Sequence, residues 1–282
     1  MQGLLPSVRS ERGVRWRLPL VFVVLLIAVA LFASLIAPYP PGVPGDYDTA
    51  KNWPPSLVHP FGTDGFGRDV LSRVIYGSRI SLTLAFAAVS LALLLGTCYG
   101  AVAGLAGGAV DRWLMRILDI ALSIPRLLLL LAVAAFWGAM PLPALIVLLG
   151  TTGWFDVARL VRGEVQALVQ QDFVLAAHAG GVPRWRLFGR HLLPHLVPLL
   201  VVSATLNVAG TIALEAGLSY LGLGVEPGIP SWGNMINEGA SVIGAQWWLT
   251  LFPGLAMVIA VLACHALGDA LRDLFAMEQV PA

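Results

Sequence analysis

Residues 172–194 read DFVLAAHAGGVPRWRLFGRHLLP (Asp172 to Pro194), the most polar and arginine-rich island between two long apolar runs. Asp172 suits the N-cap of a helix beginning at Phe173, because a short carboxylate accepts hydrogen bonds from first-turn N–H groups. Ala176 and Ala177 give that helix a smooth patch of small side chains. Gly180 and Gly181 break it, and Pro183 fits the first turn of a second helix running through Arg190. Pro194 and Pro198 restart the chain as it enters the next apolar run. The stretch is therefore expected to form a short helix–turn–helix at a membrane surface. Arg184, Arg186 and Arg190 stand on it beside small residues that let another backbone come close. That is the shape of a docking element.

The flanking runs belong to a polytopic membrane protein. Hydrophobic residues make up 58% of the 282 residues and charged ones 12%, against roughly 45–50% and 25% in soluble domains. Mean hydropathy is +0.82. A net charge of +1 without a basic run gives no footprint for nucleic acid. Cys98 and Cys264 both fall inside apolar runs and form no CxxC pair, so they carry no redox or metal signal.

Read in order, Leu18 to Ala37 are twenty nearly unbroken apolar residues behind Arg9, Arg12, Arg15 and Arg17. This is enough to cross a ~30 Å hydrocarbon core and longer than a signal-peptide apolar region, so an uncleaved first helix is expected. Pro38 to Ser78 follow as an extracytoplasmic segment, whose Asp69 caps a surface helix with Val70, Leu71, Val74 and Ile75 on one side. The second span, Ile80 to Leu105, carries Gly96, Gly100 and Gly104 four apart, a face for close helix packing. Gly107 to Asp119 read as a short cytoplasmic turn, and a third span continues to Trp137 with a kink at Pro125. Arg126, beside that kink, is expected to snorkel to the membrane surface. A fourth span begins at Leu142 and continues as helix on the inside. The fifth runs from Leu196 to Tyr220, and residues 221–239 form an ordered outer re-entrant turn rather than a helix. The sixth, Trp247 to Leu267, starts at an interfacial aromatic pair.

Arginines fall mainly on one side of this layout, as the positive-inside rule requires. The fold class is all-α, with six transmembrane helices and both termini cytoplasmic. Residues 1–78 supply the N-terminus, first helix and extracytoplasmic segment. Residues 79–282 supply a five-helix core containing the loop 172–194. Glu215 lies near the outer end of the fifth span, and Arg79 enters the second span at the same level. An ionised carboxylate there is costly unless paired or wet. Glu215 is therefore expected to pair with Arg79 or Arg73 as an outer gate.

No catalytic site assembles from these residues. Lys51, the sole lysine, is followed by Asn52 in an outer loop, so no Walker A phosphate loop exists in this chain. HExxH and GxSxG are absent. His178, His191 and His195 lie close in sequence without a carboxylate in a ligand pattern, and read as surface histidines.

The spacing Ala176-Ala177, three residues, Gly181, nine residues, His191-Leu192-Leu193-Pro194 resembles the "EAA" loop of bacterial ABC importer permeases. That loop has Glu-Ala-Ala, three residues, Gly, nine residues, Ile, any residue, Leu-Pro. Leu175 stands at the Glu position and His191 at the Ile position. Residues 59–82, residues 214–239 and the C-terminal tail also resemble the dipeptide/oligopeptide/nickel branch, so the similarity spans Leu18 to Phe275. The chain looks like a C-type permease subunit of that branch. The resemblance implies half of a translocation pathway for di- or oligopeptides delivered by an extracytoplasmic binding protein. It implies a bacterial inner membrane location, surrounding membrane lipid, a second homologous permease subunit and two ABC ATPase subunits. ATP and magnesium would sit on those ATPases, with no cofactor, metal or catalytic residue in this chain. Leu175, Ala176, Ala177, Gly181, Arg184, Arg186, Leu193 and Pro194 would form the coupling surface. An ATP-independent secondary transporter is the alternative from another class, and nickel, glutathione or sugars are the alternative cargoes.

Overall fold

Helix α3 (Val70–Ala106) is the longest element of the bundle together with its N-cap, Asp69. One carboxylate oxygen of Asp69 accepts from both the backbone N–H and the hydroxyl of Ser72, each at 2.7 Å. The helix then runs 37 residues without a break. The expected surface helix and second span are therefore one element, and the division drawn between residues 78 and 79 falls inside it. The computed structural model describes residues 16–41 and 51–278. Arg9, Arg12 and Arg15, and most of the proline-rich opening of the outer segment, lie outside the described residues.

Helix α3 packs along α6 (Leu142–Val169) through bare backbone. A Cβ at Gly96 would stand 2.6 Å from Val157 Cβ, and one at Gly104 2.7 Å from Val165 Cγ1. At Gly100 it would collide with the carbonyl oxygen of Ala158. The contact is reciprocal, since a Cβ at Gly150 of α6 would lie 2.7 Å from Leu91 and 3.0 Å from the Ala88 carbonyl. The G-x-x-x-G face thus finds its partner within the same chain. Close backbone approach is the means of association where apolar burial gives no preference over lipid.

The other elements wrap this pair. Helices α4 (Gly108–Leu122) and α5 (Arg126–Trp137) are bent 68° at the break containing Pro125. Where a short turn was expected, α4 forms a helix, tied to α3 by Tyr99, whose hydroxyl donates to the Leu114 carbonyl at 2.7 Å. Arg162 of α6 grips Asp111 of α4 with two donors. Arg126 does not snorkel. Its Nη2 donates to the Leu149 carbonyl at 2.9 Å, and the guanidinium occupies the space a side chain at Gly153 would need. Helix α9 (Leu193–Tyr220) and α11 (Trp248–Glu278) complete a core of Leu82, Ala85, Val89, Val208, Ile212, Ala260 and Cys264. Helices α3, α6, α9 (with the segment leading into it) and α11 are each long and apolar enough to cross a membrane, and the bent α4–α5 pair makes a fifth. The first apolar stretch divides at Phe32 into α1 (Arg17–Leu31) and α2 (Ala33–Ile36), and reaches span length only with both together.

At the end of the bundle opposite residues 172–194, an ion network ties the segment 51–69 to the last third of the chain. Arg73 is 2% exposed and donates to Asp64 at 2.7 Å and to both oxygens of Glu238 at 2.6 and 3.0 Å. Arg68 joins Asp64 at 2.7 Å. Trp248 donates its indole N–H to the Thr63 carbonyl at 3.1 Å. Residues 221–231 are irregular as expected, but Ser231 then caps a further helix, α10 (Trp232–Ala240), by accepting from Asn234 N–H. Three carbonyls, of Val225, Glu226 and Ile229, are bound by the Asn234 amide, which fixes the irregular segment onto α10.

Gly100→Leu is expected to lower the thermal midpoint of the detergent-solubilised protein, because overpacking costs about 1–3 kcal/mol and here meets backbone rather than a movable side chain. Gly163→Ala, on an open side of α6 with nothing within 4 Å, should leave that midpoint unchanged. Equal midpoints for the two variants would contradict the packing account. Arg73→Met should destabilise by about 3–5 kcal/mol, since it strands Asp64 and Glu238 without their buried cation. Arg159→Met removes the exposed pair with Asp119 and should cost no more than about 1 kcal/mol. Chemical denaturation of the two variants measures the difference.

Candidate functional site

The sequence-predicted loop begins where α6 ends at Val169. Helix α7 spans Asp172–Ala179, one residue earlier than expected at its start. The cap position is taken by Gln171, whose carbonyl accepts from Val174 and Leu175 N–H at 3.0 Å each. Asp172 is instead a first-turn acid, where its charge complements the helix dipole. The C-terminal end is a six-to-one closure: Val182 N–H bonds the Ala177 carbonyl at 3.2 Å, and Gly181 takes the left-handed conformation at φ +78 that this closure requires. Gly181 is thus fixed by turn geometry.

Pro183 then caps the short helix α8 (Arg184–Leu187), its carbonyl accepting from Arg186 and Leu187 N–H. The second helix does not stop at Arg190. A π turn over Phe188–Leu192 carries it directly into α9, closed by a bond from Leu193 N–H to the Phe188 carbonyl. Pro194 explains the widening. It has no N–H for the Arg190 carbonyl, and its ring would press on that carbonyl in a regular α-turn. Loop and fifth span are therefore one continuous rod from Arg184 to Tyr220.

The buried side of the loop is apolar. Val174, Leu187, Leu192 and Leu196 form one cluster with Val157, Val161, Val165 and Leu168 of α6, and Ala177 packs against it. The opposite side is exposed and nearly flat: Ala176, Ala179, Gly180 and Gly181, flanked by Pro183, Arg184, Trp185 and Arg186. Leu175, at the position where an acid was absent, is 51% exposed. Trp185 is 70% exposed with the Arg186 guanidinium 5.0 Å from its ring centre. Sequence reasoning passed over Trp185, although a tryptophan between two arginines in a polar island was a visible signal. Leu193 and Pro194 sit at the first turn of α9, behind the π turn rather than on the flat face.

The second expected site, an Arg79–Glu215 pair, is not formed. Glu215 is 1% exposed, and its carboxylate accepts from the hydroxyls of Ser219 at 2.7 Å and Ser231 at 2.9 Å, with Ser81 at 3.5 Å. Arg79 is exposed, and Arg73 is committed to Asp64 and Glu238. Among the described residues no ion pair reaches Glu215. Ser81 also accepts from Trp232 N–H at 3.3 Å, so the carboxylate and three hydroxyls join α3, α9 and α10 at one point. Serine donors replace the expected cation because α9 presents Ser219 one turn after Glu215, and the cap of α10 brings Ser231 over it.

Residues 96–277 match the family model for the binding-protein-dependent transport system inner membrane component. A Brucella suis protein that carries the name of a peptide permease is 41% identical over 274 residues, 96% of this chain and 90% of its own length. The dipeptide transport system permease protein DppC of Bacillus subtilis is 38% identical over 253 residues, 88% of this chain and 79% of its own. Among solved structures, an inward-facing MetNI methionine ABC transporter chain shares the fold, with TM-score 0.58 and 21% identity over 72% of this chain and 96% of that one. The family so described is a transport component of the inner membrane, not a catalytic one. This chain belongs to it: it is a binding-protein-dependent transport system inner membrane component.

Proposed function

We propose that this chain forms half of the translocation pathway of an ATP-driven importer of di- and oligopeptides, with the loop 172–194 as the surface on which an ATPase docks. The observation that carries the reading is the flat exposed face of Ala176, Ala179, Gly180 and Gly181, seated on the inner end of α6 and continuous with α9. A second homologous permease supplies the other half. Two ATPase subunits bind ATP and magnesium beneath, and an extracytoplasmic binding protein delivers the cargo. Both termini face the cytoplasm, on the side of the loop. The peptide cargo is supported by the relatives named for peptide and dipeptide transport. Membership in a family that depends on a binding protein argues against the ATP-independent carrier considered from sequence.

Docking by closeness of backbone, with Leu175 in place of an acid, makes shape more important than charge. Gly181→Asn keeps a residue tolerant of the left-handed conformation and should retain most ATP-driven uptake of a radiolabelled dipeptide. Gly181→Trp adds bulk to the flat face and strain at φ +78, and should abolish uptake while the protein still accumulates in the membrane. Leu175→Ala removes a half-exposed apolar contact worth roughly 1–2 kcal/mol at most, so uptake should fall only modestly. Normal uptake by Gly181→Trp would rule out the docking role.

A further inference from the structure

Two opposite charges stand within the spans and are not bonded to each other or to any other charge. Asp156 lies near the middle of α6, is exposed, and makes no hydrogen bond or ion pair with any described residue. Arg126, half-buried at the first residue of α5, bonds neutral groups instead: the Leu149 carbonyl at 2.9 Å and, through Nε, the Thr152 hydroxyl at 3.4 Å. Thr152 and Asp156 are four residues apart on α6, so they share a face at about 6 Å along the axis. The Asp156 charge already acts on the Arg126 guanidinium through space. Charges inside a span are held by each other or by water, and here both are left to water.

The surroundings agree with a wet face. Arg159, three residues farther along α6, pairs with Asp119 of α4, and these side chains are 54% and 64% exposed. Through the middle of its own span α11 instead exposes Leu255, Val258, Ile259 and Leu262, a surface suited to lipid. Helix α5 is lightly seated, with Leu130 and Ala134 as its buried residues, and it starts directly after the 68° bend at Pro125. We infer that Arg126 and Asp156 are the two halves of a latch on the translocation pathway, apart in this structure and joined when the α4–α6 face closes. The inference rests on the pathway proposed above. Water weakens the attraction between them, and its removal strengthens that attraction roughly fourfold as the effective dielectric falls toward that of a protein surface. Leu149 keeps its own helix bond within α6 when the guanidinium leaves its carbonyl. The movement draws the start of α5 toward the loop end of α6, with the bend at Pro125 as pivot. Because the wet face continues toward the loop, the latch joins in the state in which the ATPases have closed beneath it.

The complete transporter, reconstituted in vesicles with its binding protein, is assayed for uptake of a radiolabelled dipeptide. Arg126→Gln and Asp156→Asn should each lower uptake about tenfold, since each strands the opposite charge, and the double change should fall no further. Exchanging the charges, Arg126→Glu with Asp156→Arg, should recover uptake to within about threefold of the unmodified assembly, the mark of direct coupling. Single effects that multiply independently, or an exchange no better than the worse single change, would overturn the inference. A second arm needs neither charge nor cargo. With Cys98 and Cys264 replaced by serine, Arg126→Cys and Asp156→Cys are treated in the assembled transporter with a short bismethanethiosulfonate. Adduct should form at least about fivefold more with vanadate-trapped ATP than without nucleotide, as a shift between two populated states requires. Equal or reversed yields reject the latch, even where the exchanged variant fails to accumulate. Nucleotide-dependent adduct without dipeptide uptake by the unmodified assembly rejects the peptide cargo and keeps the latch, whereas normal uptake with indifferent adduct rejects the latch alone.

Discussion

The backbone-to-backbone approach of α3 and α6 at Gly96, Gly100, Gly104 and Gly150 is the constraint on which the rest of the bundle depends. In lipid there is no gain from merely hiding leucine, so the helices that touch most closely set the frame. That contact fixes the direction of α6, whose last turns carry Val161, Val165 and Leu168 into the cluster beneath the loop. A surface loop has no rigidity of its own. This one acquires it from α6 on one side and from the uninterrupted rod of α8, π turn and α9 on the other. The loop is thus seated on the inner end of one span and joined through its short turns to another.

Polar groups follow the same economy at the far end. Arg73, almost fully buried, is held by two acids, while Glu215, equally buried, is held by hydroxyls. The first arrangement fixes the segment 51–69 against α10, and the second pins α3, α9 and α10 together. In both, a buried polar side chain is satisfied by several donors or acceptors converging on it. The outer segments and the spans are consequently one structure, although the sequence there alternates between turn residues and short apolar patches.

Where the signal is local, the sequence was legible. Asp69 capped its helix, the glycines at intervals of four formed a packing face, and Gly181 broke α7 at the residue expected. Ala176, Ala179, Gly180 and Gly181 of the loop lie exposed, whereas Ala177, expected beside them, packs inward against the α6 cluster. What escaped was set by distant partners or by chain continuity. Arg126 looked free to reach the surface until the Leu149 carbonyl and the space above Gly153 were seen to hold it. Glu215 was matched with Arg79 by depth in the membrane, but its partners come from a helix cap sixteen residues later and a serine on α3. Pro194 reads in sequence as a restart, because a sequence does not reveal that a widened turn lets a helix pass a proline. The helix over Gly108–Leu122 was missed since its paired glycines and arginines resemble a turn, while its contacts to Tyr99 and Arg162 lie on other elements.

The central claim, that the flat face of α7 is where an ATPase docks, is tested most directly by cross-linking in native membranes. With Cys98 and Cys264 replaced by serine, a single cysteine is placed at Ala179 on that face, or at Ile243 at the opposite end, and the whole transporter is treated with a short bifunctional reagent. The account predicts a permease–ATPase adduct from position 179 and none from position 243. An active transporter that yields no adduct from position 179, or equal adducts from both positions, would contradict it.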